Sequence, residues 1–299
     1  MKLEGLKTFY EDKYKNLMII SFVILFIALG VLGFWKVSTG EFIAKDTTLK
    51  GGLLITVQTN ADLDISQIEG ELKDKLGVDI SVRKLQAMGT SGSVGYAFEL
   101  EQKDIDEVKS AISEVTGIEL VSGKYTVEEM SSALGSSFWS STLKALGLAF
   151  LFMSLVVLYY FRVPIPSGAI VLCAVSDLVA TLATMNLIGF KLSTAGVAAL
   201  LMLLGYSVDT DILLSTKLLK RKEGTIMERV YSAMKTGVTM ELTTIIALTV
   251  LWIVSPALVL RQIAAILIIG LLFDLLFTWI QNTGILRWYL EKKGVKDEY

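Results

Sequence analysis

The segment Ala198–Lys222, AALLMLLGYSVDTDILLSTKLLKRK, is apolar enough to enter a membrane yet carries two carboxyl groups. About 20 apolar residues in a helix span the hydrocarbon core. Asp209 and Asp211 stand near the end of this segment, ahead of a run of Lys and Arg. An acid at membrane depth is disfavoured by roughly 2.5–3.5 kcal/mol and marks a functional site by default. Gly205 and Asp209 are spaced i, i+4 and share a helix face. Asp211 projects about 200° round the axis from Asp209, so the two acids serve different faces. The plainer reading places both at a wet helix end, with Asp209 the deeper of the two.

The chain as a whole suits such a segment. Its 299 residues are 53% hydrophobic, with a mean hydropathy of +0.59, which fits a polytopic membrane protein. There is no histidine, which excludes Ser-His-Asp chemistry, HExxH zinc sites and histidine proton relays. One cysteine, Cys173, rules out an internal disulfide or a Cys-rich metal site. Neither a P-loop nor a GxGxxG or EF-hand pattern occurs, so no nucleotide, cofactor or metal is expected and the chain does not read as an enzyme.

Six apolar segments follow one another: Leu17–Trp35, Thr142–Phe161, Pro166–Ile188, Thr194–Ser215, Val238–Val254 and Gln262–Leu286. The first is too long for a signal-peptide core and is read as an uncleaved membrane helix. Lysines 2, 7, 13 and 15 precede it within a polar N-terminus, residues 1–16. The loop 215–235 holds Lys217, Lys220, Arg221, Lys222, Arg229 and Lys235, and the tail 287–299 is also basic. The positive-inside rule then puts both termini and this loop in the cytoplasm. Topology explains the basic loop without recourse to nucleic acid. Residues 36–141 carry 10 basic against 17 acidic residues and form the large extracytoplasmic part.

That part reads as an α+β domain. Strands are expected at Gly52–Thr59, Val78–Met88, Tyr96–Glu101 and Ile118–Val127, with a turn at Gly89–Gly95. Helical spacing joins Ile65, Ile68, Leu72 and Leu76, and Asp104 caps a second helix bearing Ile105, Val108, Ala111, Ile112 and Val115. The order βαββαβ is that of a ferredoxin-like domain, a fold that names no function. The Ser-rich stretch Val127–Ser141, with Phe138 and Trp139, is expected to lie at the membrane interface. The fold class is therefore a six-helix α-helical membrane protein with a ferredoxin-like domain inserted after the first helix; helices 2–6 occupy 142–286.

Further acids lie in the later helices: Asp177, Glu241 and Asp274. Few cations accompany them; Lys235 and Lys144 stand near helix ends. A buried carboxyl with no cation beside it is a candidate to take up a proton, which puts Asp209, Glu241 and Asp274 forward. Interhelical hydrogen bonding is the structural alternative for such groups, and close helix packing is the alternative for Gly205 and Gly237.

The stretch GYSVDTDILLSTKLLKR, Gly205–Arg221, resembles the fourth helix of the SecD/SecF family of protein-export membrane proteins in its archaeal form. Gly51-Gly52 is similar to the family's Gly-Gly signature, Ala233–Thr244 to its fifth helix and Gly270–Asp274 to its sixth, so the resemblance covers nearly the whole chain. It implies kinship with the resistance-nodulation-division transporters. It also implies a SecD-like partner supplying six more helices, the Sec translocon, secreted polypeptide clients and a site in the cytoplasmic membrane. Bacterial members are thought to use proton flow through intramembrane acids and an Arg. On that pattern Asp209 matches the partner's fourth-helix Asp, the bacterial Asp of this half falls on Thr210, and the Arg falls near Thr236, beside Lys235. The expected coupling residues are Asp209, Asp211, Lys235, Glu241 and Asp274, with Asp209 as carrier and Lys235 as counter-charge. Gly205 and Gly237 are the expected packing positions. The alternative is half of a proton-coupled small-molecule transporter, which would use the same acids for a solute.

Overall fold

The computed structural model describes residues 9–59, 61, 63–78, 80–86, 93–100, 103–121, 123–221, 223–255 and 257–294. Most of the expected turn at Gly89–Gly95 lies outside them. The chain divides into two compact units: Lys45–Lys144 with Lys191–Thr194 form one, and the remainder forms the other.

In the smaller unit a short helix α1 (Thr47–Lys50) leads into strand β1 (Gly52–Val57). Helix α2 (Ile65–Leu76), strands β2 (Ile80–Gln86) and β3 (Ser93–Leu100), helix α3 (Ile105–Thr116) and strand β4 (Tyr125–Met130) follow. The antiparallel sheet runs β2-β3-β1-β4. Alternation decides the faces, because side chains along a strand point to opposite sides. Leu53, Ile55, Val57, Tyr96, Phe98 and Leu100 form one core with Ile68, Leu72 and Leu76 of α2 and Val108, Ala111 and Ile112 of α3. Asp64 and Asp104 cap these helices through their carboxylates. The fourth strand starts later than Ile118. Strand β1 offers partners only from Gly52, opposite Met130, to Val57, opposite Tyr125, so residues 118–121 run past its end.

The paired glycines have a steric reason. Gly52 has φ +142°, and a Cβ there would fall 2.5 Å from the Leu100 carbonyl oxygen. Gly51 is approached in turn by Gly135, whose Cβ would lie 2.7 Å from the Gly51 nitrogen. Gly135 stands in helix α4 (Ser132–Phe161), so the Ser-rich stretch runs from the end of β4 into the start of the second long helix.

A polar knot lies on the sheet face away from α2 and α3. Glu99 is 6% exposed and accepts hydrogen bonds of 3.0 Å each from the Thr47 amide, Arg83 Nη2 and Lys191 Nζ. Asp46 caps α1, accepting from the Thr48 amide at 2.9 Å. Burial pushes the Asp46 carboxyl up to about 6; hydrogen bonds from Thr48 oppose the shift and the charge of Glu99 adds to it. The unfolded value is about 3.9, so the folded unit holds this proton more tightly. The proton-linked stability is full below about pH 4 and is lost as pH rises through about 6. Asp46→Asn keeps a good cap and removes the titration. Amide exchange of β1 and β3, corrected for intrinsic rates, should lose about 1–3 kcal/mol of protection between pH 4 and 7 in the parent chain and stay level in the variant. A parent chain as level as the variant would refute this account.

In the larger unit, helix α5 (Tyr14–Thr39) precedes the inserted unit in the chain. Beyond that unit and α4 come α6 (Pro164–Leu187), α7 (Thr194–Leu219), α8 (Ile226–Val254) and α9 (Leu258–Leu276). A π-helical stretch (Phe277–Asn282) joins α9 to α10 (Thr283–Lys292). Six helices among the described residues are long and apolar enough to cross a membrane; the sixth runs through the π stretch. Helix α8 starts twelve residues before Val238. Its start is a capping box: Thr225 Oγ1 accepts the Glu228 amide at 3.2 Å, and Glu228 Oε2 accepts the Thr225 amide at 2.9 Å. The basic residues 217, 229 and 235 therefore sit on helices. Leu25, Ala28 and Leu32 of α5 pack with Cys173, Ala180 and Ala183 of α6 and with Phe277. Small α6 side chains let the helices approach closely.

Candidate functional site

Four helices bring four acids together inside the larger unit. Helix α6 supplies Asp177, α7 Asp211, α8 Glu241 and α9 Asp274, at 1%, 0%, 3% and 0% exposure. Helical spacing adds a polar neighbour to each of three: Cys173 lies one turn from Asp177, Ser207 one turn from Asp211, and Thr278 one turn from Asp274. Ser207 Oγ donates to Asp177 Oδ2 at 2.5 Å. Asn282 Nδ2 donates to Asp211 Oδ1 at 2.6 Å. Thr278 Oγ1 lies 3.0 Å from that same oxygen and 2.8 Å from Asp274 Oδ1. A hydroxyl has one hydrogen, so Thr278 can donate to only one of its two carboxyl neighbours.

The donors run out before the acceptors do. Asp177 Oδ1, Asp211 Oδ2 and Asp274 Oδ2 are buried without a protein hydrogen-bond partner. Among the described residues, none of the four acids is ion-paired. Buried carboxylates at this density need protons or a bound cation to balance them. The π stretch is part of the arrangement. It is wider than an α-helix, and such turns occur frequently at functional sites. It carries Thr278, Gln281 and Asn282, each fully buried, and Gln281 Nε2 reaches Ser176 Oγ at 3.2 Å.

Glycine sets how near α8 comes. A Cβ on Gly237 would lie 2.4 Å from the Trp279 ring and 3.1 Å from Thr210 Cγ2. That approach brings Glu241, one turn further, to the side of the cluster. Gly205 is different: a Cβ there would meet nothing within 4 Å.

The expected site residues thus fall into two groups. Asp211, Glu241 and Asp274 lie in the buried cluster, joined by Asp177. Asp209 and Lys235 lie on the exposed surface of α7 and α8. Sequence reading passed over Ser207, Thr278 and Asn282. The signal for the last two was the i, i+4, i+8 ladder Asp274, Thr278, Asn282 along one apolar helix.

The family model described as "Protein export membrane protein SecD/SecF, C-terminal" matches residues 110–292. The chain belongs to the SecD/SecF protein-export family. A SecF protein of Pyrococcus furiosus is 40% identical over 298 residues, covering 98% of this chain and 97% of its own. A SecF protein of Methanocaldococcus jannaschii is 39% identical over 291 residues, covering 95% and 98%. The fold is similar to the crystal structure of SecDF, a translocon-associated membrane protein of Thermus thermophilus, with a TM-score of 0.72 at 16% identity. The match covers 93% of this chain and 38% of that one, so this SecD/SecF member spans well under half of the longer protein. Family membership and six apolar helices make it a multi-pass membrane protein.

Proposed function

We propose that this chain is an accessory subunit of the Sec machinery of the cytoplasmic membrane, acting with a SecD-like six-helix partner in late translocation of secreted polypeptides. Its termini are cytoplasmic and its sheet-bearing unit is extracytoplasmic. The buried carboxyls Asp177, Asp211, Glu241 and Asp274 are its ion-coupling element.

One observation carries the partnership. The exposed residues of α4 and α5 are mostly bulky and apolar, such as Leu151, Phe152 and Val156 on α4 and Ile20, Phe26 and Ile27 on α5, with Gly30, Gly33 and Gly147 among them, which suits lipid. The exposed residues of α7 from Ala198 to Asp209 are Ala198, Met202, Gly205, Tyr206 and Asp209, at helical spacing. On α8 the exposed residues include Lys235, Thr236, Thr239 and Thr243, alongside the bulky apolar Met240, Leu242, Ile246 and Val250. A carboxylate is costly against lipid, and small residues beside it let a second helix approach closely. Gentle solubilisation of native membranes tests the reading: a second six-helix protein and translocon subunits should come out with the tagged chain. A cysteine at position 205 should cross-link to that partner, and one at position 152 should not. Recovery of the chain as a homo-oligomer free of translocon would sink the proposal.

A further inference from the structure

We infer that Tyr10 is a positioning residue for the buried acid cluster: the N-terminal arm latches onto the π stretch and holds Thr278 and Asn282 in register with Asp211 and Asp274. The inference rests on reading the cluster as the coupling element and adds what keeps its donors in place.

The π stretch is where that register is made. Side chains four residues apart on an α-helix are about 40° out of line, so two such steps would carry Asn282 about 80° round from Asp274. A wider turn between Thr278 and Asn282 takes back part of this drift. Both side chains then reach Asp211 Oδ1, Asn282 Nδ2 at 2.6 Å and Thr278 Oγ1 at 3.0 Å. Relaxation of the stretch to an α-helix would swing Asn282 away from Asp211 and strip the cluster of a donor.

Such turns are rare, and this one has side-chain hydroxyls on two consecutive carbonyls. Thr283 Oγ1 donates to the Thr278 carbonyl at 3.1 Å, and Tyr10 Oη donates to the Trp279 carbonyl. Thr283 is local, whereas Tyr10 comes from the other end of the chain. The Tyr10 ring packs against the apolar cluster shared by Leu214 of α7, Val230 of α8, Trp279 and Leu286 of α10. Packing alone would be met by a phenylalanine; the hydroxyl is what serves the π carbonyl.

The arm is fastened on either side of that contact. Residues 9–12 are helical. Tyr231 Oη of α8 donates to Glu11 Oε1 at 2.9 Å, and Arg287 Nη1 of α10 donates to the Glu11 carbonyl oxygen at 2.7 Å. Arg287 also stands 4.2 Å over the Tyr14 ring and pairs with Glu291 at 3.3 Å, whose Oε2 accepts from Tyr14. Where α5 begins, Met18 presses on Gly284, at which a Cβ would fall 2.9 Å from the Met18 side chain. Helices α5, α8 and α10 thus hold the arm so that its tyrosine is delivered to one carbonyl.

Cys173, the one cysteine of the chain, is fully buried 3.7 Å from Thr278 Oγ1 and reports on the cluster without any engineered thiol. The purified full-length chain is treated with N-ethylmaleimide under native conditions, and amide exchange of residues 277–284 is followed in parallel. Tyr10→Phe keeps the ring and removes the hydroxyl. It should raise the Cys173 reaction rate and the exchange of that stretch roughly 3- to 10-fold, as expected for one net hydrogen bond, with exchange in the middle of α6 unchanged. Tyr231→Phe should act in the same direction through Glu11, and Phe9→Ala, at an exposed position of the arm, should leave both rates as they are. Parent rates in Tyr10→Phe, or faster exchange spread equally through α6 and α9, would overturn the positioning role. Should Tyr10→Phe fail to fold, Tyr231→Phe decides in its place. A faster Cys173 reaction in a Tyr10→Phe chain that exports normally would keep the latch and remove the reading of the cluster as the coupling element.

Discussion

Asp211→Asn is expected to cut secretion roughly 10- to 100-fold, the loss typical of removing one ligand or its close support from an ion site. The variant chain should still accumulate and still recover its partner. Asp209→Asn should differ by losing the partner on solubilisation. The contrast follows from which way two nearby carboxyls point. Asp211 is fully buried, accepts from Asn282 at 2.6 Å and lies 3.0 Å from Thr278. Asn has nearly the same shape, so the packing survives, but it carries no charge to hold an ion or proton. Asp209 touches none of this. It stands on the exposed stripe with Gly205 and Met202, where its charge must meet either a partner or lipid. The measurement is export of a reporter in cells holding each variant, with co-purification from the same membranes. Equal loss of export and of partner in both variants would show that the two acids share one role.

How far this division was legible in the sequence depends on what each part rests on. The six spans rest on length and apolarity, which are local, and they were readable. The α2 and α3 faces rest on helical spacing of large apolar residues against a polar background, and Ile68, Leu72, Val108 and Ile112 were readable for the same reason. The 200° between Asp209 and Asp211 was also readable, but not which of them faces inward. In a soluble helix the polar side announces solvent. In a membrane helix both sides are apolar, and the buried side of α7 is chosen by α6 and α9, which present Asp177 and Asp274 to it. The π stretch left no mark in FTWIQN, because its wider turn is a response to packing rather than a propensity of those residues. The early start of α8 was different: Thr225 and Glu228 spell a capping box that the sequence displays openly.

The two helical glycines supply the largest contrast in stability. Gly237→Leu is expected to destabilise the purified chain by about 3 kcal/mol or more, beyond the range usual for a single extra methylene in a packed core. Even the first carbon of the new side chain would enter the Trp279 ring at 2.4 Å and press on Thr210 at 3.1 Å. A rigid ring at the edge of the π stretch cannot step aside as the end of a flexible chain would, so α8 must retreat and take Glu241 with it. Gly205→Ala should instead stabilise the isolated chain by up to about 1 kcal/mol, since glycine inside a helix costs about that much relative to alanine and nothing stands within 4 Å of the new carbon. The same change should weaken recovery of the partner, because a glycine that this chain does not need for its own packing is the contact another helix would use. Thermal unfolding of the two variants, with and without the partner, separates the explanations. If Gly205→Ala stabilised the isolated chain and the complex alike, the stripe on α7 would face lipid after all, and Asp209 would need another reason to be there.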